Sequence, residues 1–87
     1  MTEPTAEAVI RAFLLNELLY DRGLKDLGVE DPLLDRGLLD SMAILRLVAF
    51  CEERFGVSIP DSEVLPENLE TIRAIAGLVE RFRPGPA

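Results

Sequence analysis

Apolar residues recur at spacings of three and four in three segments of the chain, which is the pattern of amphipathic helices. The first predicted helix follows Thr5, a residue type that commonly caps helices, and ends near Tyr20. The second runs from about Ser41 to Phe55, and Gly56 follows where a left-handed residue often ends a helix. The third starts after Thr71. The stripes of the first and third helices are Val9, Ile10, Phe13, Leu14 and Leu18, and Ile72, Ile75, Ala76, Val79 and Phe82.

The connections between these helices contain residues that interrupt helical structure. Residues 21–40 carry three glycines and a proline, with the apolar pairs Leu33-Leu34 and Leu38-Leu39 between them. This predicts a long first loop with hydrophobic anchors and a short helical turn, and its length favours a functional role. After the second helix, residues 57–60 are predicted to be extended, and residues 61–68 to form one short turn that Pro66 interrupts.

Three helices and no periodic strand pattern predict an all-α fold, a small antiparallel helical bundle of three main helices plus a short helix. The 87 residues fit a single domain over 1–87, with an ordered bundle at about 5–82 and a mobile C-terminal tail at 83–87. A domain of this size removes only roughly 60 to 70% of its unfolded surface from water. We therefore expect a thin core with little room for a buried active site.

The second predicted helix has two apolar faces. Its core stripe is Ile44, Leu47, Val48, Cys51 and Phe55, and a second stripe, rotated from the first, is Met42, Leu45 and Ala49. Two accounts of the second stripe are open: a thin bundle that buries more of its central helix, or a docking face for a partner. Cys51 lies in the core stripe, where a cysteine acts as a small, unreactive hydrophobe.

Charge and composition exclude several classes of function. The net charge of -7 and the pI near 4.4 argue against nucleic acid and make basic protein patches the expected partners. One cysteine and no histidine exclude an internal disulfide, a zinc site with histidine ligands and a Ser-His nucleophile pair. We therefore expect no catalytic residues.

Metal and membrane sites are not predicted either. The acids Asp31, Asp35 and Asp40 miss the ligand spacing of a calcium-binding EF-hand, so we interpret them as loop surface within a recognition field. The N-terminus has no signal-peptide pattern, and no run approaches the ~20 apolar residues of a membrane span. We expect a cytoplasmic monomer without a membrane partner.

Ser41 is the candidate modification site. It follows Asp40 at the junction between the long loop and the second helix. A hydroxyl in the first helical turn is accessible, and the unpaired backbone N–H groups there favour an attached phosphate.

The surroundings of Ser41 resemble those of the acyl and peptidyl carrier proteins, and the similarity covers nearly the whole chain. It rests on Leu38-Leu39-Asp40-Ser41-Met42, Glu52-Glu53-Arg54-Phe55-Gly56, Val57-Ser58-Ile59-Pro60-Asp61 and Thr71-Ile72. The resemblance implies that Ser41 receives 4'-phosphopantetheine from coenzyme A and that its thiol carries cargo as a thioester. It also implies that Asp40 helps a phosphopantetheinyl transferase and its magnesium to recognise the site. Leu39, Met42, Leu45 and Ala49 would then meet partner enzymes.

Departures from the fatty-acid carriers favour another branch of the family. Gly37 lies four residues before Ser41 instead of three, Leu38 takes the expected glycine position, and the second helix has no net formal charge. The chain looks more like free-standing carriers of secondary-metabolite pathways. These are loaded by adenylation enzymes, ligases or acyltransferases and are served by tailoring or condensing enzymes.

Three functions stay open from the sequence. An aminoacyl carrier, for instance for proline during oxidation to a pyrrole, is slightly favoured over a polyketide-type carrier of an extender unit such as methoxymalonate. A helical interaction module that binds a partner through Met42, Leu45 and Ala49 is the alternative from a different class.

Overall fold

The computed structural model describes residues 4–24 and 26–83, and over these ranges every regular element is helical. The predicted all-α bundle is confirmed. The four α-helices are α1 (Ala6–Phe13), α2 (Ser41–Phe55), α3 (Pro66–Leu69) and α4 (Ile72–Phe82). No helix among the described residues is both long and apolar enough to cross a bilayer. The predicted mobile tail lies outside the described residues apart from Arg83.

The first helix begins as predicted and ends differently. The Ala8 N–H donates to the Thr5 hydroxyl oxygen at 3.1 Å, so Thr5 is the cap. The α-helix then widens into a π-helical segment, Leu14–Leu18, in which the Leu19 N–H donates to the Leu14 carbonyl at 2.7 Å, before a 3₁₀ turn at Tyr20–Arg22. A π-helical turn contains one more residue than an α-helical turn. For this reason Leu19 is buried along with Leu14, whereas the predicted core residue Leu18 is only half-buried.

Hydrogen bonds and buried side chains fix the long first loop against the bundle. The Leu33 N–H donates to the Glu70 carbonyl at 2.7 Å, and the Arg73 N–H donates to the Val29 carbonyl at 3.0 Å. Leu33 is fully buried, and the Arg36 N–H closes a short turn on the Pro32 carbonyl at 3.0 Å. The predicted anchors and short turn are therefore present, and the loop is a packed part of the domain.

Helix α2 has the predicted boundaries at both ends. Gly56 follows it with a φ of +67°, which an L side chain would adopt only with strain. Leu47 and Cys51 are buried at its centre, whereas Ile44, Val48 and Phe55 are half-buried. Phe50 stacks on Phe13 of α1, with ring centroids 4.0 Å apart and planes 9° apart. The sequence stripes did not indicate this aromatic contact.

The segment after α2 differs from the prediction in one respect. Residues 61–68 form two short helices, a 3₁₀ turn at Asp61–Glu63 and α3, because Pro66 takes the first helical position of α3. Proline is favoured there, since its missing N–H is not needed in the first turn. Helix α4 has Thr71 as its cap and buries the predicted stripe up to Val79, together with Leu78, which the pattern missed.

Candidate functional site

Ser41 is the first residue of α2, and its side chain is exposed. The preceding residue, Asp40, is the helix cap: the Ala43 N–H donates to Oδ1 of Asp40 at 2.8 Å. No described residue accepts a hydrogen bond from the N–H groups of Ser41 and Met42. These amides point out of the helix beside an accessible hydroxyl, an arrangement that favours negative charge.

The capping role of Asp40 was missed at the sequence level, although a signal for it exists. Aspartate immediately before an apolar helix is among the strongest sequence indications of a helix start. Similarly, Asp31 is more than loop surface, because its Oδ2 accepts from the Gly28 N–H at 2.8 Å and pairs with Arg36 at 3.3 Å. Asp35 is exposed.

The second apolar stripe of α2 lies on the surface next to Ser41. Met42 is 68% exposed, Leu45 is 64% exposed, and Ala49 is also exposed. The account in which a thin bundle buries this stripe is therefore wrong. Leu39 differs from these residues: it is 7% exposed and belongs to the core, so its side chain does not form part of the exposed surface.

A cleft of about 200 Å³ opens beside the N-terminus of α2. Its charged residues are Arg22, Asp40 and Arg46, and its remaining lining is Leu18, Leu38, Met42 and Ala43. Arg22 reaches this place from the 3₁₀ turn that follows the π-helical segment. Neither arginine was among the predicted site residues, because no sequence spacing relates the 3₁₀ turn that holds Arg22 to the helix that holds Arg46.

The rest of the site chemistry is limited. Burial raises the pKa of the Cys51 thiol to about 12, and the neighbouring charge of Glu52 adds to this increase. Among residues 4–24 and 26–83 no group of three or more acidic, cysteine or histidine side chains could hold a metal ion. Ser41 has no histidine base in the chain. The arrangement can therefore present a hydroxyl for modification.

The residues at this corner fit a covalently attached phosphate ester. The exposed Ser41 residue offers a hydroxyl oxygen of the kind that such an ester needs, the N–H groups of the first helical turn favour negative charge, and the two cleft arginines lie nearby. Ser41 is exposed to solvent, whereas Ala43 and Ile44, two and three residues later in α2, are half-buried.

Comparisons with known proteins agree with this geometry. The sequence family described as "Phosphopantetheine attachment site" matches residues 14–79. The chain is 37% identical over 65 residues to the probable acyl carrier protein PigG of a Serratia species, a match that covers 74% of this chain and 75% of that protein. It is 35% identical over 74 residues to the D-alanyl carrier protein of Streptococcus suis, which covers 82% of this chain and 92% of that protein.

A solved structure described as "Crystal structure of FAD-dependent dehydrogenase" contains a similar chain. The superposition has a TM-score of 0.72 at 37% identity and covers 80% of this chain and 97% of that chain. The family match spans the first loop, all of α2 and most of α4. This chain therefore belongs to the family of carrier proteins, which bear a covalently attached 4'-phosphopantetheine and are not themselves enzymes.

Proposed function

We propose that Ser41 bears the phosphopantetheine and that the chain shuttles aminoacyl thioesters between enzymes of a natural-product pathway. The observation that carries this proposal is the exposed position of Ser41 at the first residue of α2, beside the exposed stripe of Met42, Leu45 and Ala49. The stripe provides apolar area that a partner enzyme can bury while it acts on the serine, at roughly 25 cal/mol per Å².

The attachment step can be written for the atoms of this chain. Oγ of Ser41 forms a new bond to phosphorus, the bond from that phosphorus to the nucleotide half of coenzyme A breaks, and the hydroxyl proton leaves. The proton passes to a base that we assign to the phosphopantetheinyl transferase. The positive end of α2 favours the negative charge of the phosphodiester product.

The names of the relatives support an aminoacyl cargo. The D-alanyl carrier protein is named for an amino acid, and the structural relative is described as an FAD-dependent dehydrogenase. A carrier that holds proline during flavin-dependent oxidation to a pyrrole combines an aminoacyl cargo with such an enzyme. The relative PigG is named a probable acyl carrier protein, and this name supports the alternative, an acyl cargo such as a methoxymalonyl extender unit.

A direct test compares two cargoes on the same chain. The apoprotein is converted with prolyl-coenzyme A or methoxymalonyl-coenzyme A and a broad transferase, and each product is incubated with an FAD-dependent dehydrogenase that oxidises carrier-bound proline. We expect intact mass spectra to show loss of four hydrogens from the prolyl form, because two successive two-electron oxidations each reduce FAD, which dissolved dioxygen reoxidises after each step. If both loaded forms assemble but the prolyl form is not oxidised, the aminoacyl proposal fails while the carrier function stands.

Two substitutions separate the capping role of Asp40 from its proposed role in transferase recognition. Asn caps helices about as well as Asp, whereas Ala removes the cap and costs about 0.5 to 2 kcal/mol. We expect the free energy of unfolding to fall for Asp40→Ala and to change little for Asp40→Asn, as measured by urea denaturation. We also expect both variants to lose transferase kcat/KM, since both lose the carboxylate. Normal kinetics for Asp40→Asn would leave Asp40 with the structural role alone.

A further inference from the structure

The first three turns of α2 carry a charge of the opposite sign to the charge of the whole chain. Between Ser41 and Cys51, the first eleven residues of the helix, the only charged side chain is Arg46. The acids of α2 come in its last turn, at Glu52 and Glu53, and Glu53 is exposed one turn beyond Ala49 on the same face of the helix. Oε2 of Glu52 accepts from the Ile59 N–H at 2.9 Å, which directs this carboxylate toward the segment after the helix.

A second cation joins Arg46 at the same place. Arg22 and Arg46 line the cleft beside Asp40 and Met42, and both arginines are exposed. Among the described residues neither forms an ion pair, whereas the carboxylate of Asp40, the one acid that lines the cleft, accepts from the Ala43 N–H. The cleft therefore has a formal charge of +1 from its own lining, two arginines against one aspartate.

Several acids that contribute to the charge of -7 pair with arginines elsewhere. Arg73 of α4 contacts Glu7 at 3.6 Å and Glu30 at 3.0 Å, and Arg81 contacts Glu63 at 2.6 Å. None of these acids lies on α2 or lines the cleft. These ion pairs lie away from the surface around Ser41 and do not change its charge.

We infer that the partner surface that docks beside Ser41 is apolar at its centre and carries carboxylates at its rim. The cationic docking surface consists of Met42, Leu45 and Ala49 together with Arg22 and Arg46. Its apolar stripe gives the buried area, and its arginines select carboxylates and set the orientation of the complex. The inference rests on the proposed function, because Ser41 adjoins this surface. It reverses the sequence expectation that partners present basic patches.

The test uses two synthetic helical peptides that share one apolar face and differ only in rim residues, Glu in one and Lys in the other. Each is titrated into the isotope-labelled full chain while backbone amide NMR shifts are followed. We expect the Glu-rim peptide to bind roughly three- to tenfold more tightly, with shifts at Met42, Leu45 and Arg46, because two exposed ion pairs contribute modestly. High salt should reduce this ratio.

Charge reversal supplies the matched control. Arg22→Glu with Arg46→Glu should invert the preference between the peptides, whereas Arg54→Glu, a reversal in the last turn of the same helix and outside the surface, should leave it unchanged. Equal affinities, tighter binding of the Lys-rim peptide, shifts elsewhere, or no binding of either peptide at about 1 mM would overturn the inference. Because modification of Ser41 is measured separately by mass, failure here is distinguishable from failure of the proposed function.

Discussion

Replacing Ser41 by alanine is expected to abolish the mass gain when the chain is incubated with coenzyme A and a broad phosphopantetheinyl transferase. The wild-type chain should gain the mass of one phosphopantetheinyl group. The loss in the variant should be complete, since no other atom takes the place of Oγ in the bond to phosphorus. Ser41 is exposed at the first turn of α2, so its replacement should leave the fold intact. Intact mass spectrometry measures the gain, and circular dichroism checks the fold.

Ser58 provides the matched control for this experiment. It is also exposed, but it lies in the extended segment after α2, away from a helix N-terminus. Ser58→Ala should therefore gain the same mass as the wild type. A persistent gain in Ser41→Ala would place the group on another side chain, and no gain in the wild type would favour a helical interaction module over a carrier.

Replacing Leu47 by alanine is expected to destabilise the domain by about 2 to 5 kcal/mol. Leu47 is fully buried at the centre of α2, so the shorter side chain leaves a cavity in a small core. Domains of this size have roughly 5 to 15 kcal/mol of total stability, and the variant should therefore lose a large fraction of it. The measurement is the free energy of unfolding from urea denaturation, followed by circular dichroism.

Leu45 lies two residues earlier in the same helix and is 64% exposed. Leu45→Ala should change the free energy of unfolding by no more than about 0.5 kcal/mol, as is usual for surface positions. It should instead raise the transferase KM, because apolar area at the docking surface is lost. Equal destabilisation by both substitutions would mean that Leu45 packs in the core, and the docking role of the stripe would then fail.

Local rules predicted those parts of the fold that depend on one helix at a time. Thr5, Thr71 and Gly56 each mark a helix end by side-chain or backbone chemistry that acts within a few residues. The same local reasoning indicated that Ser41 begins α2 and that a second apolar stripe follows it. These features were predictable because their causes lie close together in the sequence.

Features that depend on packing between elements were not predictable. The π-helical segment of Leu14–Leu18 violates the 3.6-residue period, and it shifts burial from Leu18 to Leu19. The sequence predicts that Pro66 interrupts its segment, because a short helix that starts at a proline gives almost no periodic signal. Arg22 and Arg46 line one cleft because the 3₁₀ turn at Tyr20–Arg22 lies beside α2, and no spacing in the sequence shows this.

The burial of Cys51 has a consequence for the fidelity of transport. The acyl group of a thioester can be transferred to a nearby thiolate. A reactive cysteine on the carrier itself could therefore take the acyl group from the phosphopantetheine thiol, and the cargo would no longer reach the partner enzymes. Burial raises the pKa of Cys51 to about 12, so its reactive thiolate is scarce at neutral pH, and the core covers its sulfur. Transfer of the cargo to the carrier's own cysteine is thereby suppressed.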